Sequence, residues 1–195
     1  MRLILASASP RRAELLRAAG FEFDVVTVDV DETPRDGEPP ATYVRRLAAE
    51  KSAAGSNVRF AGRASSAPTP TPIILGADTT VVVDGEILGK PRDDDDAARM
   101  LRRLSGRRHD VLTGISLRQG AYEVGRVETT VVDVAPLSDA DVAWYVGSGE
   151  GRDKAGAYAV QGLASRFIRR IEGSYANVVG LPVAAVFELM REMSR

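Results

Sequence analysis

The sequence predicts an α/β protein built on a mixed, twisted sheet flanked by helices. Three observations carry this. Short apolar runs alternate with helix-period segments early in the chain, the pattern of strands joined by crossover helices. In the middle, Asp84-Gly85 is a hairpin signal, and 111–118 and 124–134 read as long strands without helices between them, which indicates antiparallel pairing. The composition is that of an ordinary globular chain: 195 residues, 44% hydrophobic and 27% charged. That length supports one sizeable core, or two small lobes sharing a sheet.

Taken in order, Arg2–Ala6 is a short buried strand, and Pro10 suits the first position of a helix that Gly20 ends. Residues 21–28 alternate as a second strand and run into the acidic stretch Asp29-Val-Asp-Glu32. Val44, Leu47 and Ala48 sit at helical spacing within 42–54. Residues 55–72, rich in Ser, Ala, Pro and Gly, read as a flexible surface loop. Ile73–Val83 is the strongest strand, broken by the polar cluster Asp78-Thr79-Thr80, and 86–88 returns after the hairpin. Asp93–Asp96 opens a helix to about Leu104, its acids complementing the helix dipole. After the two long strands, Ser138 caps a helix to Val146. A glycine-rich charged loop covers 147–156, 167–171 is a short strand, and 182–193 is a closing helix.

Composition excludes several functions. Acids and bases number 27 and 26, so no global positive field holds nucleic acid or an anionic membrane. With no cysteine and one histidine, the usual zinc, thiol and iron–sulfur chemistries are out, and a metal site would use oxygen ligands. The N-terminal apolar run is too short for a signal peptide, and no segment approaches a membrane span. A cytoplasmic protein is the expectation.

Several residues stand out chemically. Ser7-Ala-Ser-Pro-Arg-Arg12 lies where a strand feeds a helix N-terminus, so it reads either as a phosphate cradle or as a capped helix start with solvated arginines. Asp78 sits inside an apolar strand, where desolvation disfavours an acid unless it meets a cleft, a cation or a metal. Lys51 and Lys90, two of three lysines, flank that strand and offer point charges for phosphate. His109 has no neighbouring nucleophile and reads as structural. Gln161 carries a donor and an acceptor suited to the edge of a base, or is a surface glutamine before a turn. The small residues around Asn177 close a pocket or form a tight helix connection.

Together these segments resemble the Maf family of nucleoside triphosphate pyrophosphatases. LILASASPRRAELL, VDVDET, LAAEKSA, GADTTVVVDGEILGKP, LRRLSGRRHDVLTG, GAYAVQGLASRFI and GSYANVVGLP occur in the family's order across nearly the whole chain. Residues 55–72 match poorly, and the second Thr of GADTT departs from the more usual GADTVV. The resemblance implies a single domain over 1–195, an elongated two-lobed fold like that of inosine triphosphatases, with a central cleft. It implies hydrolysis of a nucleoside triphosphate to the monophosphate and pyrophosphate with Mg²⁺ or Mn²⁺. Asp78 would accept the proton of the attacking water, Glu32 and Asp78 would hold the metal, and Ser7, Ser9, Arg11, Arg12, Lys51 and Lys90 would bind phosphate. Arg11, Thr79 and Gln161 match the branch that resembles enzymes for dTTP and UTP; the 7-methyl-GTP branch has tryptophan, glutamine and glutamate there. Roles in nucleotide-pool cleaning or restraint of septum formation are further implications of the resemblance. The nucleotide is the expected partner, with neither nucleic acid nor membrane, and a homodimer stays open.

Three other readings compete. A sugar-nucleotide transferase shares the LILA opening but expects glycines where Ser-Ala-Ser stands. A non-catalytic regulator of division would only bind nucleotide. A pyrophosphatase of the same fold could prefer broad or methylated substrates.

Overall fold

The computed structural model describes residues 2–58 and 71–194. Among these, seven strands form one sheet in the order β2-β1-β3-β5-β6-β7, with β4 also on β3. β1 (Leu3–Ala6) is buried along its whole length and leads through Ser7–Ser9 into α1 (Pro10–Ala18). β2 (Phe23–Val26) and β3 (Ile73–Val83) both pair parallel to β1. α2 (Pro40–Ser56) crosses between them. β4 (Glu86–Leu88) returns on β3 through the Asp84-Gly85 turn, in which both residues have positive φ. β5 (Arg108–Gln119), β6 (Tyr122–Val134) and β7 (Ile168–Glu172) continue the sheet antiparallel. The sheet is therefore parallel on one side of β3 and antiparallel on the other, as the switch from alternating elements to hairpins predicts.

The remaining helices are α3 (Asp94–Leu104), α4 (Asp139–Gly147), α5 (Tyr175–Val179) and α6 (Val183–Met193). The Asp93 side chain caps α3 by accepting from the Asp96 N–H, and Ser138 and Asp141 form a reciprocal capping box on α4. Two 3₁₀ turns follow, Ala155–Ala157, which begins inside the stretch 147–156 expected to be a loop, and Leu163–Phe167, which takes Phe167 from the strand expected over 167–171. α2 reaches Ser56, so the expected loop begins later than 55, and its segment 59–70 lies outside the described residues.

Two large apolar clusters lie at opposite ends of β3. One joins Leu75 and Ala77 to α1 and α6, through Leu16, Val186 and Leu189. The other joins Val81 and Val83 to α3, α4 and the 155–167 region, through Leu104, Tyr145 and Phe167. Burial of each such Leu or Val contributes about 2 kcal/mol. These residues are the odd-numbered face of β3. The even-numbered face, from Ile74 through Asp78 to Val82, lies on the side covered by α2, where Val82 packs with Tyr43, Val44 and Leu47.

Candidate active site

β5 pairs with one edge of β3 from Ile74 to Val82. The opposite edge is shared: β1 covers Ile73–Gly76 and β4 covers Val81–Val83. Among the described residues no strand pairs with Ala77–Thr80 on that edge. A cavity of about 580 Å³ opens there, within the usual range for a small-molecule site. The gap explains why Asp78 and Thr79, whose side chains leave opposite faces of the strand, both line one cavity.

Every residue singled out from the sequence for substrate or metal lines this cavity: Ser7, Ser9, Arg11 and Arg12 from the β1–α1 junction, Glu32, Lys51, Asp78, Thr79, Lys90 and Gln161. The Lys51 ammonium donates to Asp78 Oδ1 and to Glu32 Oε1, each at 2.6 Å. Tyr43 fastens the acidic segment to α2 by donating to the Glu32 carbonyl at 2.9 Å. α2 comes this close because the strands beneath it carry glycine. A Cβ on Gly76 would collide with the Ala48 carbonyl and lie 2.5 Å from the Ser52 nitrogen. One on Gly114, the cross-strand partner of Asp78, would collide with the Val44 carbonyl. Contact between helix and strand backbones is what lets Lys51 reach the floor.

Burial pushes the Asp78 carboxyl above its ordinary value, against the pull of Lys51 and Arg12. Burial acts on Glu32 in the same direction, but the Lys51 hydrogen bond and charge, with Lys90 and Arg12 behind them, hold it below its ordinary value. Two carboxylates of unlike acidity thus share one cation.

Arg12 is buried and pinned. Its Nε donates to the Gly180 carbonyl at 2.8 Å, Nη1 to Ser7 Oγ at 3.1 Å and Nη2 to Thr79 Oγ1 at 3.2 Å. All three acceptors are neutral, so its charge stays directed at the cleft. Ser7 Oγ accepts again from the Ser9 N–H at 3.2 Å, which leaves the Ser7 proton to donate. Ser9 precedes α1 without a side-chain cap bond and lines the cavity together with Arg11 and Arg12 of the first turn.

Of the three expected specificity residues, Arg11 and Gln161 lie on the rim. Arg11 Nη1 donates to Asp153 at 3.1 Å. Thr79 is different: its hydroxyl lies 2.9 Å from Thr113 Oγ1 and donates to the Gly180 carbonyl at 3.2 Å, so it serves the protein's own network.

Sequence reasoning missed Asp153, Lys154 and Tyr158 as cavity walls. Lys154 donates to Asp153, and Gly156 N–H donates to the Gly89 carbonyl at 3.1 Å, tying this rim to the Lys90 loop. The charged, glycine-rich composition of 147–156 was the available signal. His109 is structural, as expected: it is buried, with Nε2 2.8 Å from the Tyr158 hydroxyl. Asn177 is a connector: its side-chain amide donates to the Val111 carbonyl and to Thr130 Oγ1, each at 3.0 Å, while Val178–Gly180 beside it line the cavity.

The profile of the family described as Maf-like protein matches residues 2–193. The chain belongs to that family. Among relatives, the dTTP/UTP pyrophosphatase of Anaeromyxobacter dehalogenans (strain 2CP-C) is 50% identical over 194 residues, covering 97% of this chain and 93% of its own. Proteins of the same name from Koribacter versatilis and Shewanella oneidensis are each 49% identical, covering 98% of this chain and 94% and 98% of their own. Among solved structures, the Staphylococcus aureus Ham1 protein aligns with 69% of this chain and 72% of its own at 17% identity and a TM-score of 0.39, too slight a likeness to carry an argument. Among the described residues no helix is long and apolar enough to cross a membrane.

Proposed function

We propose that this Maf-family chain, acting as one domain, hydrolyses dTTP, UTP and related pyrimidine nucleoside triphosphates to the monophosphate and pyrophosphate. The observation that carries the reading is the Asp78 carboxyl at the open edge of β3, in a cleft lined by five cationic side chains. The name dTTP/UTP pyrophosphatase borne by full-length relatives supports it.

Arg11, Arg12, Lys51 and Lys90 balance the triphosphate charge, with hydrogen bonds from Ser7 and Ser9 fixing its oxygens. Asp78 orients a water on the α-phosphorus and takes its proton as the new P–O bond forms. The bond from the α-phosphorus to the bridging oxygen breaks, and pyrophosphate leaves with the electron pair. A carboxyl raised by burial is a stronger base than an exposed one. Lys51 pulls against that rise.

Glu32 and Asp78 fit a hard divalent cation. Their oxygens converge on one ammonium at 2.6 Å each, so they are near enough to share a single cation. Among the described residues no group of three or more His, Cys, Asp or Glu side chains could hold a metal; Glu32 and Asp78 would be the carboxylates that meet Mg²⁺ or Mn²⁺. Such an ion supplies charge neutralisation at the phosphates. Gln161 offers its amide to the N–H and carbonyl edge of uracil or thymine.

The test is Asp78→Asn with product analysis. Turnover of UTP falls by about a hundredfold or more, and the wild type releases pyrophosphate as its primary product. Near-normal turnover by a folded variant refutes the role of Asp78, and orthophosphate as the first product refutes the reaction.

A further inference from the structure

Gln161 sits on a short turn, and a base-reading amide is useful only if its position is fixed. The turn is held at both ends by side chains from outside it. Before Gln161, the Ala159 N–H donates to the Tyr145 hydroxyl at 3.0 Å. After it, the Leu163 and Ala164 N–H groups donate to Glu150 Oε1 and Oε2 at 2.9 and 3.4 Å. The two clasps are one unit, because the Tyr145 hydroxyl donates to Glu150 Oε2 at 2.7 Å.

Tyr145 is a rigid post, 1% exposed in the apolar cluster beneath α4. Glu150 lies flat against the turn: a Cβ on Gly162 would collide with its carboxylate. The Lys154 ammonium fixes the Glu150 backbone by donating to its carbonyl at 2.7 Å. Lys154 also pairs with Asp153, the partner of Arg11. The segment from Glu150 to Asp153 thus touches the supports of both rim residues.

We propose that Glu150 is a positioning residue for base selection, fixing Gln161 at the cleft through the turn that its carboxylate and Tyr145 clasp. This rests on the reading that Gln161 meets the base. A carboxylate is required because three donors, one hydroxyl and two N–H groups, converge on its two oxygens. In Glu150→Gln, one of those oxygens becomes an NH₂ that opposes a donor, and the turn loosens without any change at the phosphate cradle.

The experiment compares the wild type, Glu150→Gln, Gln161→Ala and the double variant. It measures kcat/KM for UTP and GTP and inhibition by pyrophosphate, a ligand without a base. Glu150→Gln lowers kcat/KM for UTP about tenfold, mainly through KM, keeps GTP within about twofold and leaves pyrophosphate inhibition unchanged. The double variant is no worse than Gln161→Ala, because both changes remove one interaction. A parallel loss for UTP and GTP, weakened pyrophosphate inhibition or additive losses overturn the proposal. If Gln161→Ala shifts the UTP-to-GTP ratio and Glu150→Gln does not, the positioning role alone is wrong. If Gln161→Ala leaves the ratio unchanged, the base-reading role fails and the proposal with it. Should Glu150→Gln not fold, Tyr145→Phe, which deletes only the shared hydroxyl, carries the same expectation.

Discussion

Acidification unfolds this protein in part through His109. The imidazole is 3% exposed, and its Nε2 is engaged by the Tyr158 hydroxyl. Its Nδ1 is buried without a partner among the described residues. Protonation would place a charge and an unsatisfied N–H in the apolar cluster, so burial depresses the group from 6.5 to about 4. Above pH 6.5 neither the folded nor the unfolded chain is protonated there, and the full stability is present. Between 6.5 and 4 the unfolded chain takes up a proton that the folded chain refuses, so stability falls as pH falls, and the loss levels off below 4. A gap of about 2.5 pH units at roughly 1.4 kcal/mol each gives a loss of about 3 kcal/mol by pH 4. Urea denaturation of the wild type and His109→Gln at intervals from pH 7.5 to 4 measures it. The variant starts less stable but loses about 3 kcal/mol less across the range. Parallel loss in both proteins refutes the reasoning, since acid unfolding would then belong to carboxylates that both share.

Chelation abolishes UTP turnover, and Mg²⁺ or Mn²⁺ restores it; full activity after exhaustive chelation removes the cation from the reading of Glu32 and Asp78. Gln161→Glu lowers pyrimidine turnover by about tenfold, because a carboxylate cannot donate to a base carbonyl; wild-type preference for 7-methyl-GTP would refute the pyrimidine assignment. Gly76→Ala destabilises the fold by more than about 2 kcal/mol, since its Cβ meets helix backbone that has no rotamer to yield. It also lowers turnover by moving Lys51; a stable, fully active variant would show that the close seating of α2 is not needed.

The strands of the sheet were legible because their residues obey one local rule each. Ile73–Val83 and Glu86–Leu88 fall where their apolar runs and the Asp84-Gly85 turn predict. The strand expected over 21–28 shrinks to Phe23–Val26 at the sheet edge, where only β1 holds it. α5 and the two 3₁₀ turns were not legible: their five or fewer residues offer too little period, and their geometry comes from long-range bonds such as those of Asn177. In the site, Asp78 announced itself as an acid in an apolar run. Asp153 and Glu150 did not, because their partners, Arg11 at one end of the chain and the turn after Gln161, are adjacent only once the sheet has formed.

The position of the site follows from the way β3 is shared. A parallel partner must end where its crossover begins, and β1 leaves the sheet at Ala6 to enter α1. An antiparallel hairpin partner is only as long as its turn allows, and β4 reaches back only to Leu88 opposite Val81. Between these ends four residues of a central strand, Ala77–Thr80, lack a strand neighbour on one side among the described residues. Both flanking ends deliver cation-bearing segments to the gap: Ser7–Arg12 from β1 and Gly89-Lys90 from β4. A strand edge that would otherwise invite another strand is instead walled by charge, and a carboxylate there meets cations rather than hydrocarbon. The polar interruption of an otherwise apolar strand is therefore the local signature of the topological break, and residues 78–80 are polar because the sheet is open beside them.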